Sequence, residues 1–367
     1  MKKIKILYLL TGFTPGGAEL TFKNIILNLN QDIYEISVCS ITHTTDIFDL
    51  IKERVKNIYF LGVKNNFGFL KAFILLRKIL NKENPDILHC FMYHSNLLGR
   101  FAAIGFNIQV ISSIRTKLID KKLINFLDNL TQRLVTVYMV NSKTLANFIQ
   151  KYGIKKQKVI LIENGVDFNK FNLNISADNL KKELNLPNIP IITMIANFKK
   201  QKDYPTMIKA IAHLQKDINV SFLAVGTGLK FEDETKQIKD LINSLNLKNF
   251  KLLGFRNDIP EILSITDIWV SSTLFEGQSN TLLEAMAMKK PIVTTNIPEN
   301  IELVRNGKEA ILIPIKSPIK IANAIIKLLQ NKNLARQLSE NAYDKVFNKF
   351  EISQMYEKIK KLYKFIV

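Results

Sequence analysis

The residues Thr273-Leu-Phe-Glu-Gly-Gln-Ser-Asn-Thr-Leu-Leu-Glu-Ala-Met-Ala-Met288 join a predicted buried strand, 267–272, to a predicted helix. Polar residues gather where the strand ends, which in an open α/β sheet is the edge that binds ligands. Ser279 and Asn280 are both suitable N-caps, and the free N–H groups at a helix start favour an anion. The carboxylates of Glu276 and Glu284 cannot bind phosphate, but they can accept hydrogen bonds from hydroxyls. The pattern therefore predicts a ligand that carries both phosphate and sugar.

The span from Phe275 to Ala287 resembles the E-x7-E motif of retaining glycosyltransferases of family 4, with the two glutamates at Glu276 and Glu284. Further stretches match that family in order along nearly the whole chain. Members of the family have the GT-B architecture. The resemblance therefore implies an α/β fold of the GT-B class, in which two doubly wound, Rossmann-like parallel-sheet domains face each other across a cleft.

Strand-like and helical segments alternate along both halves of the chain, which predicts βαβ units and parallel sheets. A Pro-flanked linker, 186–190, separates the two alternations, and 367 residues with 47% hydrophobic content suit two cores. By resemblance, residues 1–170 form an N-terminal acceptor-side domain and residues 188–349 a C-terminal nucleotide-sugar-binding domain. A basic amphipathic helix at about 350–367 is expected to cross back to the first domain.

Cys39 and Cys90 lie in apolar strand-like runs, which predicts reduced core residues rather than a disulfide or a metal site. Residues 1–10 begin like a signal peptide. Their apolar run is short, however, and no small-residue cleavage site follows, so a first buried strand is expected. No stretch approaches the roughly 18 apolar residues that a membrane-spanning helix needs. These features predict a cytoplasmic protein.

Glycines and polar residues follow the predicted strands of the first half. Gly16 and Gly17 lie in the first β–α turn and resemble the family's Gly-Gly-x-Glu loop, which faces the donor diphosphate. A later strand carries His89 and leads to His94 and Asn96, which resemble the family's His-rich segment near the acceptor. These residues are the predicted acceptor-side group.

Arg115 departs from the commonest family pattern, because many relatives carry at this position a His that points at the donor sugar. Arg115 and His94 are catalytic candidates together with Glu276 and Lys202. The role of Arg115 stays open, since an ordinary surface arginine is the alternative interpretation.

In the second half, Lys202 occupies the lysine position of the family's Gly-Arg-x4-Lys segment, whereas Asn197 occupies the arginine position. One of two expected phosphate-binding cations is therefore missing, and Lys199 is the candidate replacement. Lys289 and Pro298 stand where the family often has glycines. The candidate donor-binding residues are Gly16, Gly17, Asn197, Lys199, Lys202, Gly226, Phe255, Arg256, Glu276, Gln278, Ser279, Asn280, Thr281, Leu282 and Glu284.

The resemblance implies a retaining hexosyl- or N-acetylhexosaminyltransferase. It would move a sugar from a nucleotide-diphosphate donor, expected to be UDP-linked, to a hydroxyl of a glycan or lipid-linked acceptor in bacterial surface polysaccharide synthesis, such as lipopolysaccharide or capsule. Lys202 would stabilise the departing phosphate, Glu284 would hold the ribose hydroxyls and Glu276 the donor sugar. No Asp-x-Asp motif occurs, so neither a metal nor a cofactor is expected.

The net charge of +20 calls for an anionic partner: nucleic acid, a membrane surface or an anionic small substrate. The Lys/Asn/Ile usage of an AT-rich genome is the alternative explanation. Two segments, Phe69–Leu80 and Thr116–Leu127, are amphipathic with basic flanks. Core packing explains their apolar stripes by default, and peripheral binding to the inner face of the cytoplasmic membrane is the hypothesis that competes with it.

Three other functions are compatible with these residues. A sugar-nucleotide epimerase of the GT-B fold shares the architecture and the donor but needs an acid/base set. A nucleic-acid-binding protein would explain the charge, although the chain lacks a helix-turn-helix, zinc or RNA-recognition signature. A catalytically silent GT-B scaffold would explain the departures at Asn197 and Pro298.

Overall fold

The structure of the protein, a computed structural model, describes residues 2–13, 16–43, 49–63, 68–117, 122–228 and 232–367. The chain divides into two compact units. Unit 1 comprises Met1–Asn164 together with Ser353–Val367, and unit 2 comprises Gly165–Ile352.

Within the described residues, unit 1 contains a seven-stranded parallel sheet in the order β3-β2-β1-β4-β5-β6-β7. The strands are β1 (Ile4–Leu10), β2 (Tyr34–Ser40), β3 (Asn57–Phe60), β4 (Ile87–Phe91), β5 (Gln109–Ile114), β6 (Val137–Val140) and β7 (Val159–Leu161). The helices between them are α1 (Gly17–Asn28), α2 (Phe69–Glu83), α3 (Tyr93–Ala102), α4 (Lys122–Leu130) and α5 (Lys143–Lys151). The order of strands reverses between β1 and β4, which makes their carboxyl ends the switch point where such sheets bind ligands.

The central strands of unit 1 are apolar on both faces because helices cover both sides of the sheet. In the sheet register Leu9 pairs with Cys39 on one side and with Cys90 on the other. Both cysteines are buried and free, as the sequence predicts. A Cβ on Gly99 of α3 would lie 2.3 Å from the Sγ of Cys90, so only glycine lets this helix pack so closely on the sheet.

Within its described residues, unit 2 contains a six-stranded parallel sheet in the order β10-β9-β8-β11-β12-β13. The strands are β8 (Ile191–Ile195), β9 (Ser221–Val225), β10 (Phe250–Gly254), β11 (Ile268–Ser271), β12 (Ile292–Thr295) and β13 (Ile311–Ile313). The helices are α6 (Asp178–Glu183), α7 (Tyr204–Leu214), α8 (Glu232–Ser244), α9 (Ile259–Ile265), α10 (Asn280–Ala287), α11 (Pro298–Leu303), α12 (Pro318–Gln330) and α13 (Lys332–Lys349). The last helix of the chain, α14 (Ile352–Ile366), packs for nearly all its length in unit 1.

Each face of the unit 2 sheet packs against its own hydrophobic core. Ile191 and Ile195 of β8 contribute to one cluster, and Ile192 and Met194 contribute to the other. Side chains two residues apart share a face, so this division shows helices on both sides. The strand order of unit 2 reverses between β8 and β11. The α/β class and the two doubly wound parallel sheets predicted from the sequence are thus confirmed.

The first predicted amphipathic segment is helical and coincides with α2. Ala72, Leu76 and Leu80 are buried, whereas Leu70 and Ile74 are 69% and 48% exposed. The second predicted segment, Thr116–Leu127, overlaps α4, but its residues 118–121 lie outside the described part. In the portions of the chain that are described, no helix is both long and apolar enough to cross a membrane.

Candidate functional site

The candidate donor-binding residues of unit 2 follow the carboxyl ends of four neighbouring strands. Residues 196–202 follow β8, residues 226–228 follow β9, Phe255 and Arg256 follow β10, and residues 272–279 follow β11. Because all four strands are parallel, these loops meet along one edge of the sheet, and β8 and β11 flank its switch point. The structure therefore brings together the unit 2 residues that the sequence only places at strand ends.

Lys202 and Glu276 form an ion pair at this switch point. The Lys202 Nζ donates a hydrogen bond to Glu276 Oε1, and the two side chains are 19% and 11% exposed. Thr273 Oγ1 donates to the same carboxylate oxygen at 3.2 Å, and Gln201 Nε2 donates to Oε2 at 3.3 Å. Three donors thus hold the carboxylate of Glu276 in one orientation.

Backbone and side-chain hydrogen bonds join the two loops that carry this pair. The Leu274 N–H donates to the Gln201 carbonyl at 2.9 Å, and Gln201 Nε2 donates to the Phe275 carbonyl at 2.8 Å. Ser272 Oγ donates to the carbonyls of Lys202 and Asp203, both at 2.9 Å. The position of Lys202 relative to Glu276 is therefore fixed by the fold of the loops as well as by charge.

The predicted helix after the central motif begins at Asn280, and Ser279 is its N-cap. The Ser279 Oγ accepts a hydrogen bond from the Leu282 N–H at 3.3 Å. The side chains of Asn280 and Thr281 are partly exposed, while Gln278 is buried. The side chain of Leu282 lies in the hydrophobic core, so only its backbone could contribute to donor binding, and that contact stays a prediction.

Glu284 lies in the second turn of α10 and is partly exposed. Burial among protein atoms raises the pKa of the Glu284 carboxyl to about 7, and the positive charge of Lys170 opposes that rise. The group therefore titrates near neutral pH. In its ionised form it accepts hydrogen bonds only, as the hydroxyls of a ribose require.

Asn197 and Gly226 connect the ends of β8 and β9. The Asn197 Oδ1 accepts a hydrogen bond from the Thr227 N–H at 3.1 Å. A Cβ on Gly226 would lie 2.1 Å from the Ala196 carbonyl oxygen, and Gly226 has a φ of +154°. Asn197 thus fixes the turn after β9, a contribution that does not replace the positive charge of the missing arginine. Lys199, the candidate replacement, is exposed beside it.

Phe255 and Arg256 follow β10 and differ in their surroundings. Phe255 is 46% exposed. Arg256 is bound by Asp258 through its Nε at 2.8 Å and by Glu183 through its Nη1 at 3.0 Å, and these carboxylates raise the pKa of Arg256. An exposed ring beside a fixed guanidinium plane offers surfaces on which a flat base can stack.

In unit 1, Gly16 and Gly17 lie at the start of α1. Gly16 is the N-cap in an extended conformation with a φ of −156°, and no side chain of a described residue caps this helix. As the N-cap, Gly16 has no side chain and can offer only backbone groups at this end of α1. This agrees with a loop that approaches an anion through its backbone, although the contact itself stays a prediction.

His89, predicted on the acceptor side, is completely buried. Its Nδ1 bonds the Tyr363 hydroxyl and its Nε2 bonds Ser113 Oγ, both at 2.7 Å, and Tyr363 bonds the hydroxyl of Tyr8 at 2.8 Å. Burial, aided by the charge of Arg115, holds the pKa of His89 well below its usual value. This buried, neutral side chain joins α14 to β1, β4 and β5 and is closed to a direct contact with an acceptor, while the acceptor-side location of its segment stays a prediction.

The remaining acceptor-side and catalytic candidates of unit 1 lie beyond β4 and β5. His94 is exposed in the first turn of α3, whereas Asn96 is buried and its Nδ2 donates to the Ser113 carbonyl at 3.1 Å. Asn96 is therefore shielded from solvent, and its acceptor-side role stays a prediction. Arg115 is also buried, with its Nη1 donating to Asn164 Oδ1 at 2.7 Å, so the interpretation as a surface arginine is wrong.

Several residues of these arrangements were not predicted from the sequence. Gln201 and Thr273 orient Glu276, and the only signal for them was their position beside Lys202 and inside the polar strand end. Tyr363 and Asn164 contact the unit 1 candidates from distant parts of the chain. Neither residue was assigned a role from the sequence.

Two family models match the chain. The model described as Glycosyltransferase Family 4 matches residues 15–170, and the model described as Glycosyl transferases group 1 matches residues 176–345. Together these matches extend over most of both units.

Curated relatives are similar over long spans. The Escherichia coli UDP-Gal:alpha-D-GlcNAc-diphosphoundecaprenol alpha-1,3-galactosyltransferase is 31% identical, with 98% of this chain and 97% of the relative covered. The Campylobacter jejuni N,N'-diacetylbacillosaminyl-diphospho-undecaprenol alpha-1,3-N-acetylgalactosaminyltransferase is 27% identical, with 76% of this chain and 77% of the relative covered.

Solved structures share the fold. A glycosyltransferase from Rickettsia africae superposes with a TM-score of 0.85 at 23% identity, over 100% of this chain and 99% of its own. HepE of Anabaena, solved in complex with UDP and glucose, superposes with a TM-score of 0.87 at 20% identity, over 98% of this chain and 99% of its own. At these identities the likeness concerns the fold alone.

Proposed function

The chain belongs to the family 4 glycosyltransferases, the group 1 glycosyl transferases, and from that premise we propose that it transfers a hexose or N-acetylhexosamine from a UDP-sugar to a lipid-linked acceptor with retention of anomeric configuration. Two relatives are named for diphospho-undecaprenol acceptors, and HepE was solved with UDP. Acceptors of that kind suit bacterial surface polysaccharide synthesis. The acceptor group would be a sugar hydroxyl on a lipid diphosphate.

The observation that carries this proposal is the meeting of Lys202 and Glu276 beside the start of α10. In the transition state, negative charge builds on the departing diphosphate and positive charge on the sugar ring. A preorganised cation for the first and a fixed carboxylate for the second stabilise this charge separation without reorganisation. Lys202 has three N–H donors, of which Glu276 takes one, so donors remain for a phosphate.

Glu276 and Glu284 lie in different environments, which suit them to different roles. Glu276 is held by Lys202, Thr273 and Gln201, so it keeps one orientation and suits the hydroxyls of the donor sugar or its developing positive charge. Glu284 titrates near neutral pH and suits the ribose hydroxyls, to which its ionised form binds. Asn280 and Thr281, at the start of α10, lie where phosphate oxygens are favoured.

The test is transfer by the purified protein. A panel of UDP-sugars is combined with a short-chain polyprenyl diphosphate that carries GlcNAc, and the product is analysed for mass and anomeric configuration. Lys202→Ala should lower turnover by orders of magnitude. Lys200→Ala is the matched control, because Lys200 is 84% exposed and pairs only weakly with Glu234, at 3.9 Å. Equal turnover in both variants, or an inverted product, would reject the proposal.

We extend the proposal to peripheral binding at an anionic membrane surface. Leu70 and Ile74 of α2 are exposed beside Lys71 and Lys78, an arrangement in which apolar side chains can enter the headgroup region while lysines meet anionic lipid. Co-flotation with phosphatidylglycerol vesicles is expected at low salt, and the double variant Leu70→Ser with Ile74→Ser should lose it. Wild-type protein that stays out of the lipid fraction would contradict this location.

A further inference from the structure

One end of the unit 1 sheet contains buried polar atoms whose hydrogen-bonding capacity is unused. Phe91 of β4 pairs with Ser113 of β5, and Ile114 of β5 pairs with Val140 of β6. Arg115 directly follows Ile114, and Asn141 directly follows Val140. They are therefore neighbours at the carboxyl edge of the sheet, about one strand spacing of roughly 5 Å apart. This is the edge at which parallel sheets bind ligands.

Among the described residues with such unused buried atoms at this edge, Arg115 alone carries a positive charge. Its side chain is 7% exposed. The Nη1 donates to Asn164 Oδ1 at 2.7 Å. In the described part of the chain no carboxylate pairs with the guanidinium, and its Nε and Nη2 have no hydrogen-bond partner. The centre of the Phe91 ring lies 5.6 Å from Cζ, where it stabilises the charge but gives neither nitrogen a hydrogen-bond partner.

Three neighbouring polar groups are also buried and unpartnered. Asn96 Oδ1, Thr116 Oγ1 and Asn141 Oδ1 are buried without a hydrogen-bond partner among the described residues. Folded proteins leave few such atoms, and each one calls for an explanation. Burying an unpaired charge is more costly still, because neither water nor a counter-charge compensates it. Burial lowers the pKa of Arg115 to about 10, which still leaves it charged at neutral pH.

We propose that Arg115 is the centre of a binding site for a phosphate group that also carries hydroxyls, such as a sugar phosphate. The two unpartnered nitrogens, Nε and Nη2, can each donate to one of two phosphate oxygens. The amide oxygens of Asn96 and Asn141 accept from ligand hydroxyls, and Thr116 can bond either partner. This inference rests on the proposed function, because the phosphate would come from the lipid diphosphate of the acceptor or from the diphosphate of the donor.

A purely structural role for Arg115 makes different predictions. In that case the guanidinium would serve to hold Asn164 after β7, and its removal would weaken the fold without changing anion binding. If Arg115 instead serves to bind an anion, Arg115→Met removes an uncompensated buried charge from the ligand-free protein. The folded protein should then keep its stability or gain some, while it loses affinity for phosphate groups.

The experiment is calorimetric titration of the full chain with three probes: inorganic pyrophosphate, farnesyl diphosphate and UDP. Pyrophosphate is titrated in a Lys202→Ala background, so that the switch point of unit 2 contributes little. Arg115→Met is expected to weaken pyrophosphate binding at least tenfold. If Arg115→Met also weakens the binding of farnesyl diphosphate but not of UDP, the site binds the acceptor. If it also weakens the binding of UDP but not of farnesyl diphosphate, the site binds the donor. Unchanged binding of all three probes would overturn the proposal.

A second variant keeps the test decisive if Arg115→Met fails to fold. Asn141→Asp places a carboxylate one strand away from Arg115 and so supplies the missing counter-charge from within. It is expected to raise Tm and to weaken pyrophosphate binding at least tenfold, whereas a structural Arg115 would allow the rise in Tm with no change in binding. The calorimetric titrations measure probe binding and do not depend on sugar transfer. A wild type that fails to transfer sugar therefore rejects the proposed function, while unchanged probe binding in both variants rejects this inference.

Discussion

Lys202 donates a hydrogen bond to Glu276 across the two loops that follow β8 and β11, the strands on either side of the switch point of unit 2. The two residues are 74 positions apart in the chain. They meet because both loops leave the same edge of a parallel sheet. Each residue restrains the other, so neither side chain has to be ordered when a donor arrives.

The coupling between Lys202 and Glu276 can be measured by a double-mutant cycle. Both side chains are mostly buried. Glu276→Ala therefore leaves a cation without this carboxylate, and Lys202→Ala leaves a carboxylate that, among the described residues, keeps Thr273 and Gln201 as donors. We expect a coupling free energy of unfolding of about 1–3 kcal/mol in the absence of ligand. The measurement is urea unfolding of the four proteins.

The same cycle with Arg336 and Glu340 is the control, because that pair lies on the surface of α13 with side chains 80% and 46% exposed. Its coupling should stay below about 0.5 kcal/mol. A coupling at Lys202 and Glu276 no larger than in the control would contradict the structure of the site.

Glu284 should make stability depend on pH in an unusual direction. The pKa of its carboxyl is raised to about 7, so the folded chain holds this proton more tightly than the unfolded chain does. The stability that the protonated form contributes is complete below the ordinary pKa of about 4.5 and is lost as pH rises through about 7. Glu284→Gln cannot ionise. Its stability relative to wild type should grow by about 1–3 kcal/mol between pH 4.5 and 8, measured by thermal unfolding.

Donor binding should follow the opposite trend at this residue. Only the ionised Glu284 accepts hydrogen bonds without a competing proton, so the wild-type KM for the donor is expected to fall as pH rises through about 7. In Glu284→Gln the KM should be higher and should lack this step. A wild-type KM that stays constant between pH 6 and 8 would show that Glu284 does not bind the ribose hydroxyls.

The sequence predicted elements whose signal is local. Apolar runs marked the strands, and Ser279 before a helical pattern marked the N-cap. The meeting of Lys202 with Glu276 was also foreseeable, because both follow strands of a parallel sheet. By contrast, the burial of His89 and its bond to Tyr363 depend on where the last helix docks, and nothing in either segment encodes the distant partner. The burial of the Leu282 side chain was not evident either, because one helix end presents both solvent-facing and core-facing positions.

Gly226 should tolerate no side chain. A Cβ there would lie 2.1 Å from the Ala196 carbonyl oxygen, in a backbone conformation that side chains rarely adopt. Gly226→Ala is expected to destabilise the fold by about 2–4 kcal/mol, measured by urea unfolding. Gly307→Ala is the matched control, since its φ is +71° but its Cβ would meet no atom within 4 Å. Its cost should be about 1 kcal/mol, and equal costs would show that the close contact has no effect.

Sugar transfer is expected to persist in excess EDTA. Lys202 and the start of α10 provide positive charge at the place where a diphosphate would leave, which is the contribution that a divalent cation makes in other enzymes. Initial rates in EDTA should stay within about twofold of those with Mg²⁺ if this charge is sufficient. Activity that disappears in EDTA and returns with Mg²⁺ would assign part of the catalysis to a metal.

The buried hydrogen-bond chain from Tyr8 through Tyr363 to His89 should stabilise unit 1. Tyr363→Phe removes the hydroxyl that bonds both neighbours and leaves Tyr8 and His89 each without this partner in a desolvated place. The expected loss is about 1–3 kcal/mol of unfolding free energy, because buried polar groups without partners are costly. Tyr34→Phe is the matched control: its ring packs against Tyr363 at 6.1 Å, but its buried hydroxyl has no hydrogen-bond partner among the described residues. Removing that hydroxyl should change stability by less than about 0.5 kcal/mol or increase it. Urea unfolding of both variants separates the two cases, and equal losses would mean that ring packing, not the hydrogen-bond chain, holds α14 against the sheet.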